Sequence, residues 1–200
     1  MRIGLTGGIG SGKSTVAALL VRCGAHLVDS DAISRRLTAA GGAAMPALAA
    51  VFGPDIATAE GALDRARMRT LAFADPDARL KLEAVLHPLI GAETEREAAA
   101  AAGKPVVFDV PLLTESLHWR ARVDRVLVVD CSEPTQLERV SQRPGWSAET
   151  VRAVIAQQAQ RPQRRAIADA VIFNDGLPMA RLEGIVAGLY GHWTGRPCGL

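Results

Sequence analysis

The chain has 200 residues, of which 48% are hydrophobic and 22% are charged, and its formal net charge is +2. This length and composition are typical of one globular α/β domain with an insertion and exclude a disordered chain. The small net charge gives no reason to expect a nucleic-acid partner. No apolar run reaches membrane-spanning length and no signal peptide is visible, so we expect no membrane partner.

The cysteines are few and scattered. There are three of them, Cys23, Cys131 and Cys198, and no two form a C-x-x-C pair. This pattern predicts neither a disulfide framework nor a zinc site, and it favours a reducing, cytoplasmic location.

Five short apolar runs predict the strands of one parallel sheet, because continuous runs rich in β-branched residues are typical of strands covered on both faces. They cover residues 2–6, 25–29, 105–110, 125–131 and 170–173. Helices are predicted at residues 14–21, 32–40, 46–52, 63–74, 77–102, 133–142, 148–160, 162–168 and 178–190. Pro88 is expected to kink or split the longest of them. The alternation predicts a doubly wound, five-stranded parallel sheet.

The second and third strands are separated by about 75 residues of helix, which is much more than one crossover needs. We therefore predict one domain over residues 1–200, with a helical insertion at residues 41–103 and a lid at about residues 136–168. The insertion is expected to cover the carboxyl edge of the sheet, where ligands of such sheets bind.

Residues 7–14 match the phosphate-loop pattern G-x-x-x-x-G-K-[ST], and they lie between a predicted strand and a predicted helix. Glycines let the backbone approach phosphate oxygens closely, and the helix that follows adds the positive end of its dipole. Lys13 is expected to contact the β and γ phosphates, and the Ser14 hydroxyl to ligate Mg²⁺. A glycine-rich turn that only caps a helix is the alternative, but it does not account for the full motif in this context.

Three aspartates are predicted at the same edge of the sheet. Asp31 is a candidate base for the proton of an attacking hydroxyl, and N-capping of the helix that begins at Ala32 is an equally supported alternative. Asp29 could serve the metal through water or simply end its strand. Asp109 ends an apolar strand and is a candidate Mg²⁺ ligand or a cap.

A basic segment follows the fourth strand: residues 133–165 contain six arginines and three glutamates. Arg139 and Arg143 are predicted on one helix face, and Arg161 and Arg164 on another. Guanidinium groups bind phosphate through forked hydrogen bonds, so we predict a lid over the phosphate loop; a solvated basic face is the alternative. His87 is a candidate substrate contact or a histidine packed at the helix kink.

These motifs, taken together and in order, resemble the dephospho-coenzyme A kinase family in the nucleotide-kinase branch of phosphate-loop proteins. The resemblance covers nearly the whole chain. It is carried by residues 5–15, 29–31, 35, 86–90, 110–115, 126–130, 136–139, 143, 158, 161, 164 and 168–176.

The resemblance implies transfer of the γ-phosphate of ATP to the ribose 3′-hydroxyl of dephospho-coenzyme A, with Mg²⁺ as cofactor. It implies catalytic roles for Asp31, Lys13 and Arg139. The implied ATP contacts are Gly8, Gly10, Ser11, Gly12, Lys13, Ser14, Thr15, Arg139, Arg143 and, near the adenine, Asn174. The implied acceptor contacts are Asp31, Arg35, His87, Pro111, Leu112, Leu113, Arg161 and Arg164, and the implied metal ligands are Ser14 and Asp109.

Two positions depart from the family pattern: Ser30 stands between the two acids where alanine is usual, and Phe173 precedes Asn174 where a polar residue is common. A kinase of nucleosides or nucleoside monophosphates is the nearest rival function, and a non-catalytic nucleotide-binding regulator is a second. A GTPase is disfavoured because no lysine lies in an N-K-x-D motif. We expect a monomer, although an oligomer is also compatible with the sequence.

Overall fold

The computed structural model describes residues 1–115 and 117–200. The strands of its sheet are β1 (Arg2–Gly7), β2 (His26–Asp29), β3 (Val106–Asp109), β4 (Arg125–Asp130) and β5 (Ala170–Phe173). Their order is β2-β3-β1-β4-β5, and β1 runs parallel to both β3 and β4, as β4 does to β5. The predicted doubly wound, five-stranded parallel sheet is confirmed, with strand ends within one residue of their predicted positions.

The helices are α1 (Lys13–Arg22), α2 (Ser30–Leu37), α3 (Met45–Phe52), α4 (Arg65–Ala74), α5 (Pro76–Ala99), α6 (Leu117–Arg120), α7 (Glu133–Ser141), α8 (Ala148–Gln157), α9 (Arg161–Ala166) and α10 (Met179–Thr194). The short helix α6 and a 3₁₀ turn at Pro54–Ile56 were not predicted, since segments of three or four residues carry no periodic pattern. Within the described ranges, no helix is both long and apolar enough to cross a bilayer.

The chain divides into two compact units, residues 1–28 with 101–200, and residues 29–100. The core of the first unit includes β1, α1 and α10, with Ile3, Leu20 and Tyr190 almost fully buried. The second unit has its own smaller core around Met45 and Leu48 of α3. This unit includes α2, which precedes the insertion predicted at residues 41–103; the function of that insertion stays a prediction.

Pro88 was predicted to kink or split the longest helix, and α5 runs through it as one element, so the helix is not split. Proline removes one backbone N–H and crowds the carbonyl four residues earlier, here that of Ala84. Ala84, His87 and Pro88 are all exposed, so water can satisfy that carbonyl at little cost.

The expectation that the cysteines form no disulfide also needs correction, because Cys23 and Cys198 are bonded to each other. Cys23 caps the end of α1, and Cys198 lies in the tail that follows α10. Trp193 and Leu200 pack against the same core as α1, which brings the tail to Cys23. Sequence spacing gave no sign of this bond, since its cysteines lie 175 residues apart.

The third cysteine, Cys131, is buried and carries a free thiol, and burial raises its pKa to about 11. The thiolate is the nucleophilic form of cysteine. With a pKa of about 11, only about one Cys131 side chain in a thousand is a thiolate at pH 8. We therefore expect iodoacetamide at pH 8 to leave the native, unreduced protein almost unlabelled, and to label Cys131 quickly in denaturant. Mass spectrometry of the intact chain measures how fast the native and the denatured protein each gain a label. A native chain that gains one label as fast as the denatured chain would contradict the prediction.

Candidate nucleotide-binding site

The phosphate loop, residues 7–14, joins β1 to α1 through a tight turn. The Ser11 N–H donates to the Gly8 carbonyl at 3.1 Å. Gly10 and Gly12 have φ angles of 76° and 92°, which L side chains rarely adopt. Gly12 is the N-cap of α1, so the loop ends where the helix dipole is positive. A turn of this kind at a helix N-terminus is an anion-binding structure.

Gly8 is required for a different reason, because its φ lies outside the left-handed region. A Cβ built on Gly8 would overlap Gln136 Nε2 and would lie 2.9 Å from Arg164 Nη2. The loop therefore packs directly against side chains from α7 and α9, and the limit at this position is steric.

We expect Gly8→Ala to weaken ATP binding about tenfold or more, because overpacking of this kind costs about 1–3 kcal/mol and its relief displaces either the loop or the buried ends of Gln136 and Arg164 beside it. Gly184→Ala is the matched control. Nothing lies within 4 Å of a Cβ on Gly184, which is in α10. Alanine in a helix interior should raise stability there by about 0.5–1 kcal/mol and leave ATP binding unchanged. Titration calorimetry and thermal unfolding measure both effects; equal ATP affinity in the two variants would contradict the steric argument.

Lys13, the first residue of α1, forms an ion pair with Asp109, the last residue of β3. The two side chains are only 19% and 14% exposed. The pair brings together the predicted phosphate contact and one predicted metal ligand. A lysine ammonium is a compact charge on a flexible stem, so it can turn from the carboxylate to an entering phosphate.

The donors at this end of the loop fit Mg²⁺. Asp109 offers a carboxylate, and Ser14 offers an exposed hydroxyl in the first turn of α1. Mg²⁺ uses one or two protein oxygens and completes its shell with phosphate and water. Among the residues described, no cluster of three or more His, Cys, Asp or Glu side chains could form an all-protein cage. The donor set therefore matches a metal that arrives with a nucleotide.

Two arginines of α9, the helix that contacts Gly8 of the loop, lie in different electrostatic settings. Arg161 forms a forked pair with the buried Asp130 at 2.9 and 2.8 Å, and hydrogen bonding to that carboxylate raises the pKa of Arg161. Arg164 is 6% exposed, and burial lowers its pKa. Its Nη1 donates to the Ala159 carbonyl, whereas its Nε has no hydrogen-bond partner within residues 1–115 and 117–200. Arg164 thus combines a buried Nε without a partner with an Nη2 next to Gly8, and such a guanidinium suits an anionic ligand.

A cavity of about 1230 Å³ lies among α7, α8 and α9. Its lining includes four arginines and one glutamate: Arg152, Arg161, Arg164, Arg165 and Glu133. Its volume is sufficient for a nucleotide-sized ligand, and the charge of its wall favours an anion.

The structure brings many of the predicted nucleotide contacts together around the loop. These are Gly8, Gly10, Ser11, Gly12, Lys13, Ser14 and Thr15 in the loop and α1, with Arg139 and Asn174 beside them. Arg139 Nη1 donates to the Gly10 carbonyl at 3.3 Å, and Asn174 Nδ2 donates to the Ser11 carbonyl at 2.8 Å. Asn174 is therefore a support of the loop, and its contact with adenine stays a prediction.

Arg143 does not share a helix face with Arg139, so that prediction is wrong. Helix α7 ends at Ser141, ahead of Pro144 and Gly145, and Arg143 lies exposed beyond it. Proline disfavours helical backbone in the residue before it, which explains the early end.

The segment after β3 also differs in its exposure from residue to residue. Leu113 is 1% exposed, and its Cδ1 occupies the space that a Cβ on Gly4 would need. Leu112 is 56% exposed, and the Pro111 carbonyl accepts from Thr6 Oγ1 at 3.1 Å. Leu113 is thus a core residue of the first unit, and acceptor contacts at Pro111 and Leu112 stay predictions.

In the second unit, the N-cap of α2 is Asp29, whose carboxylate accepts from the Ala32 N–H at 2.9 Å. The alternative in which Asp31 caps this helix is therefore wrong; Asp31 is exposed in the first turn. Arg35 Nη2 lies 3.7 Å from Asp29 Oδ2. His87 is exposed on α5, so it is not a packed residue at a kink.

Sequence reasoning assigned no role to Gln136, Gln158 or Asp130, although each shapes the site. Gln136 Nε2 donates to the Ile9 carbonyl at 2.6 Å, and Gln158 Oε1 accepts from the Ile9 N–H at 2.9 Å. One signal was available: Gln136 lies four residues before the buried Val140, so it is a polar residue on the inner face of α7. Gln158 follows the last residue of α8, where no periodic pattern identifies it.

Residues 1–178 match the family model described as dephospho-CoA kinase. The chain belongs to the dephospho-CoA kinase family. A relative of that name from Burkholderia pseudomallei is 55% identical over 188 residues, or 94% of this chain and 93% of its own. Another, from Bordetella pertussis, is 58% identical over 175 residues, or 88% of this chain and 82% of its own. The resemblance seen in the sequence is confirmed, and the family is one of enzymes.

Solved structures share the fold of this chain. A Thermus thermophilus protein is 33% identical to this family member, with a TM-score of 0.85 and 98% of both chains covered. The dephospho-CoA kinase of Campylobacter jejuni is 22% identical, with a TM-score of 0.72 and 97% of both chains covered. A shikimate kinase from Acinetobacter baumannii is 17% identical, with a TM-score of 0.52 over 97% of this chain and 93% of its own. The last two likenesses show a shared kinase fold.

Proposed function

We propose that this protein transfers the γ-phosphate of ATP to the ribose 3′-hydroxyl of dephospho-coenzyme A, giving coenzyme A and ADP. The observation that carries the proposal is a complete phosphate loop, flanked by the Lys13–Asp109 pair and the buried Arg164, in a member of the dephospho-CoA kinase family. Relatives of that name match this chain over most of its length.

In the proposed reaction, the loop amides and the N-terminus of α1 hold the β and γ phosphates. Lys13 leaves Asp109 for the γ-phosphate and, with Arg139, neutralises the charge that develops there. Ser14 and Asp109 would hold Mg²⁺, which when bound would shield charge on the phosphate oxygens. Asp31 accepts the proton of the attacking hydroxyl. This role is supported by its exposed carboxylate, which α2 does not use as a cap.

The acceptor contacts are proposed at Arg35, His87, Pro111, Leu112 and Arg161. Exposure of the Arg35, His87 and Leu112 side chains leaves them available to a ligand. Arg161 is already paired with Asp130, which fixes the direction of its guanidinium and leaves Nη1 outside the forked pair. We further propose that the enzyme acts as a monomer in the cytoplasm, where ATP and small coenzyme precursors are available. Sedimentation and cell fractionation test these two points.

Product analysis tests the proposed reaction. The protein is incubated with ATP, Mg²⁺ and dephospho-coenzyme A, and the product is identified by mass and by the position of its new phosphate in ³¹P-coupled NMR spectra. Parallel reactions replace the acceptor with adenosine or AMP at the same concentration. Preferential phosphorylation of either compound would favour a nucleoside or nucleotide kinase. ATP binding with no transfer to any acceptor would favour the non-catalytic regulator.

A further inference from the structure

Ile9 lies in the phosphate loop, and glutamine side chains hold both polar groups of its backbone. Its carbonyl accepts from Gln136 Nε2 at 2.6 Å, and its N–H donates to Gln158 Oε1 at 2.9 Å. Gln136 belongs to α7, and Gln158 directly follows α8. We call these two residues the glutamine pair. It connects the loop to two helices that are separate in sequence.

Holding a carbonyl also fixes the amide that follows it. In a trans peptide the C=O and the next N–H point in opposite directions, and this chain contains no cis peptide within its described residues. Gln136 draws the Ile9 carbonyl toward α7, so the Gly10 N–H points away from α7. Asn174 fixes the Ser11 carbonyl in the same manner and thereby orients the Gly12 N–H. Loop amides oriented in this way are what a phosphate group requires.

The contact between the loop and α7 leaves no room for a shift. Gln136 is 1% exposed, and a Cβ on Gly10 would lie 3.1 Å from the Gln136 carbonyl oxygen and 2.8 Å from Val140 Cγ2. Gln136 Oε1 is buried and has no hydrogen-bond partner in the described part of the chain. A buried amide oxygen without a partner is costly. An apolar side chain would avoid that cost, so the bond from Nε2 to the loop is what the glutamine supplies here.

We propose that the glutamine pair positions the phosphate loop, by holding the two peptide groups on either side of Ile9 in the orientation that lets the remaining loop amides bind a triphosphate. Gln136 and Gln158 bind the backbone of the loop, so they are positioning residues that act through Ile9. This inference rests on the proposed function, in which ATP occupies the loop. Because α7 and α8 each supply one residue, any movement of these helices changes the orientation of the loop amides.

The first test removes each bond without changing side-chain size greatly. Gln136→Met and Gln158→Met are expected to raise the Kd for ATP about three- to tenfold each, the range that one hydrogen bond supplies. We expect kcat to stay within about twofold, because the loop is correctly formed once ATP has bound. Gln157→Met is the matched control: Gln157 is exposed, is adjacent in sequence, and is the last residue of α8. The Kd for ATP of the double variant should rise by less than the product of the two single increases, because both bonds hold the same residue, Ile9.

The second test uses the opposite polarity of the two bonds. Gln158→Glu keeps an acceptor for the Ile9 N–H, whereas Gln136→Glu replaces a donor with a carboxylate that faces the Ile9 carbonyl. Each variant adds one negative charge beside the same loop residue, so each is the charge control for the other. We expect the Kd for ATP to rise at least threefold more in Gln136→Glu than in Gln158→Glu.

Calorimetric titration with ATP, steady-state kinetics and thermal unfolding are measured on all variants at one temperature well below their unfolding transitions. A lowered Tm with an unchanged Kd for ATP in Gln158→Met would show a purely structural role and overturn the proposal. Equal increases in the Kd for ATP in Gln136→Glu and Gln158→Glu would overturn the proposal as well. If Gln136 variants do not fold, the half-buried Gln158 still decides the question. If the wild-type protein itself binds no ATP, the proposed function fails instead.

Discussion

Asp31→Asn is expected to lower kcat by about 10²–10⁴-fold, the usual contribution of a positioned general base, while the Kd for ATP stays within about twofold. Asparagine keeps the size of the side chain and its ability to accept a hydrogen bond, but it cannot take the proton of the attacking hydroxyl. Asp29, and not Asp31, caps α2, so the helix should keep its N-terminus in this variant.

Asp77→Asn is a closely matched control. Asp77 is the second residue of α5, as Asp31 is the second residue of α2. Each substitution removes one negative charge from the first turn of a helix, which costs about 0.3–1 kcal/mol of stability. Similar changes in Tm with a loss of turnover in Asp31→Asn alone would support the base assignment. Near-full activity of Asp31→Asn with dephospho-coenzyme A would contradict it, whatever its stability.

The fold was predictable because each strand is a continuous apolar run and each carries its own boundary signal. Residues 2–6 lead directly into a glycine-rich loop with the phosphate-loop motif, and Val126 to Val129 form an apolar run typical of a strand covered on both faces. Apolar runs and boundary residues of this kind can be identified without knowing which distant residues they contact. The phosphate loop was predictable for the same reason, since its motif, strand and helix are contiguous.

What could not be predicted depends on tertiary contacts. Gln158 meets Ile9 across 149 positions in sequence, and Cys23 meets Cys198 across 175. No local pattern identifies either pair. Arg143 was placed on a helix face by its spacing from Arg139, but the helix ended two residues earlier. Pro88 was expected to kink or split α5, but the helix is not split, because the affected residues are exposed and water can satisfy the freed carbonyl.

The Lys13–Asp109 pair connects these local and tertiary features. The motif predicts that Lys13 binds phosphate, but only the parallel pairing of β1 with β3 brings Asp109 to it. Both side chains are less than one-fifth exposed, and the ion pair holds the lysine side chain in place before a nucleotide enters. Binding of a triphosphate then exchanges one anionic partner for another, so Lys13 is never left buried without a negative charge nearby.

Lys13→Ala is accordingly expected to lower kcat by about 10²–10³-fold, the effect of removing one preorganised charge donor from a transition state, and to weaken ATP binding as well. Lys104→Ala is the control, because Lys104 is exposed in the segment before β3 and lies outside the phosphate loop. Lys13→Arg provides a stricter comparison: it retains the charge but replaces a compact ammonium with a planar fork, so it should recover only part of the activity. Initial rates at saturating dephospho-coenzyme A, with ATP varied, separate the effects on kcat and on ATP binding. If Lys13→Ala lost thermal stability but turned over at the wild-type rate below its Tm, the lysine would be only a structural partner of Asp109, and its assignment to the transferred phosphate would be wrong.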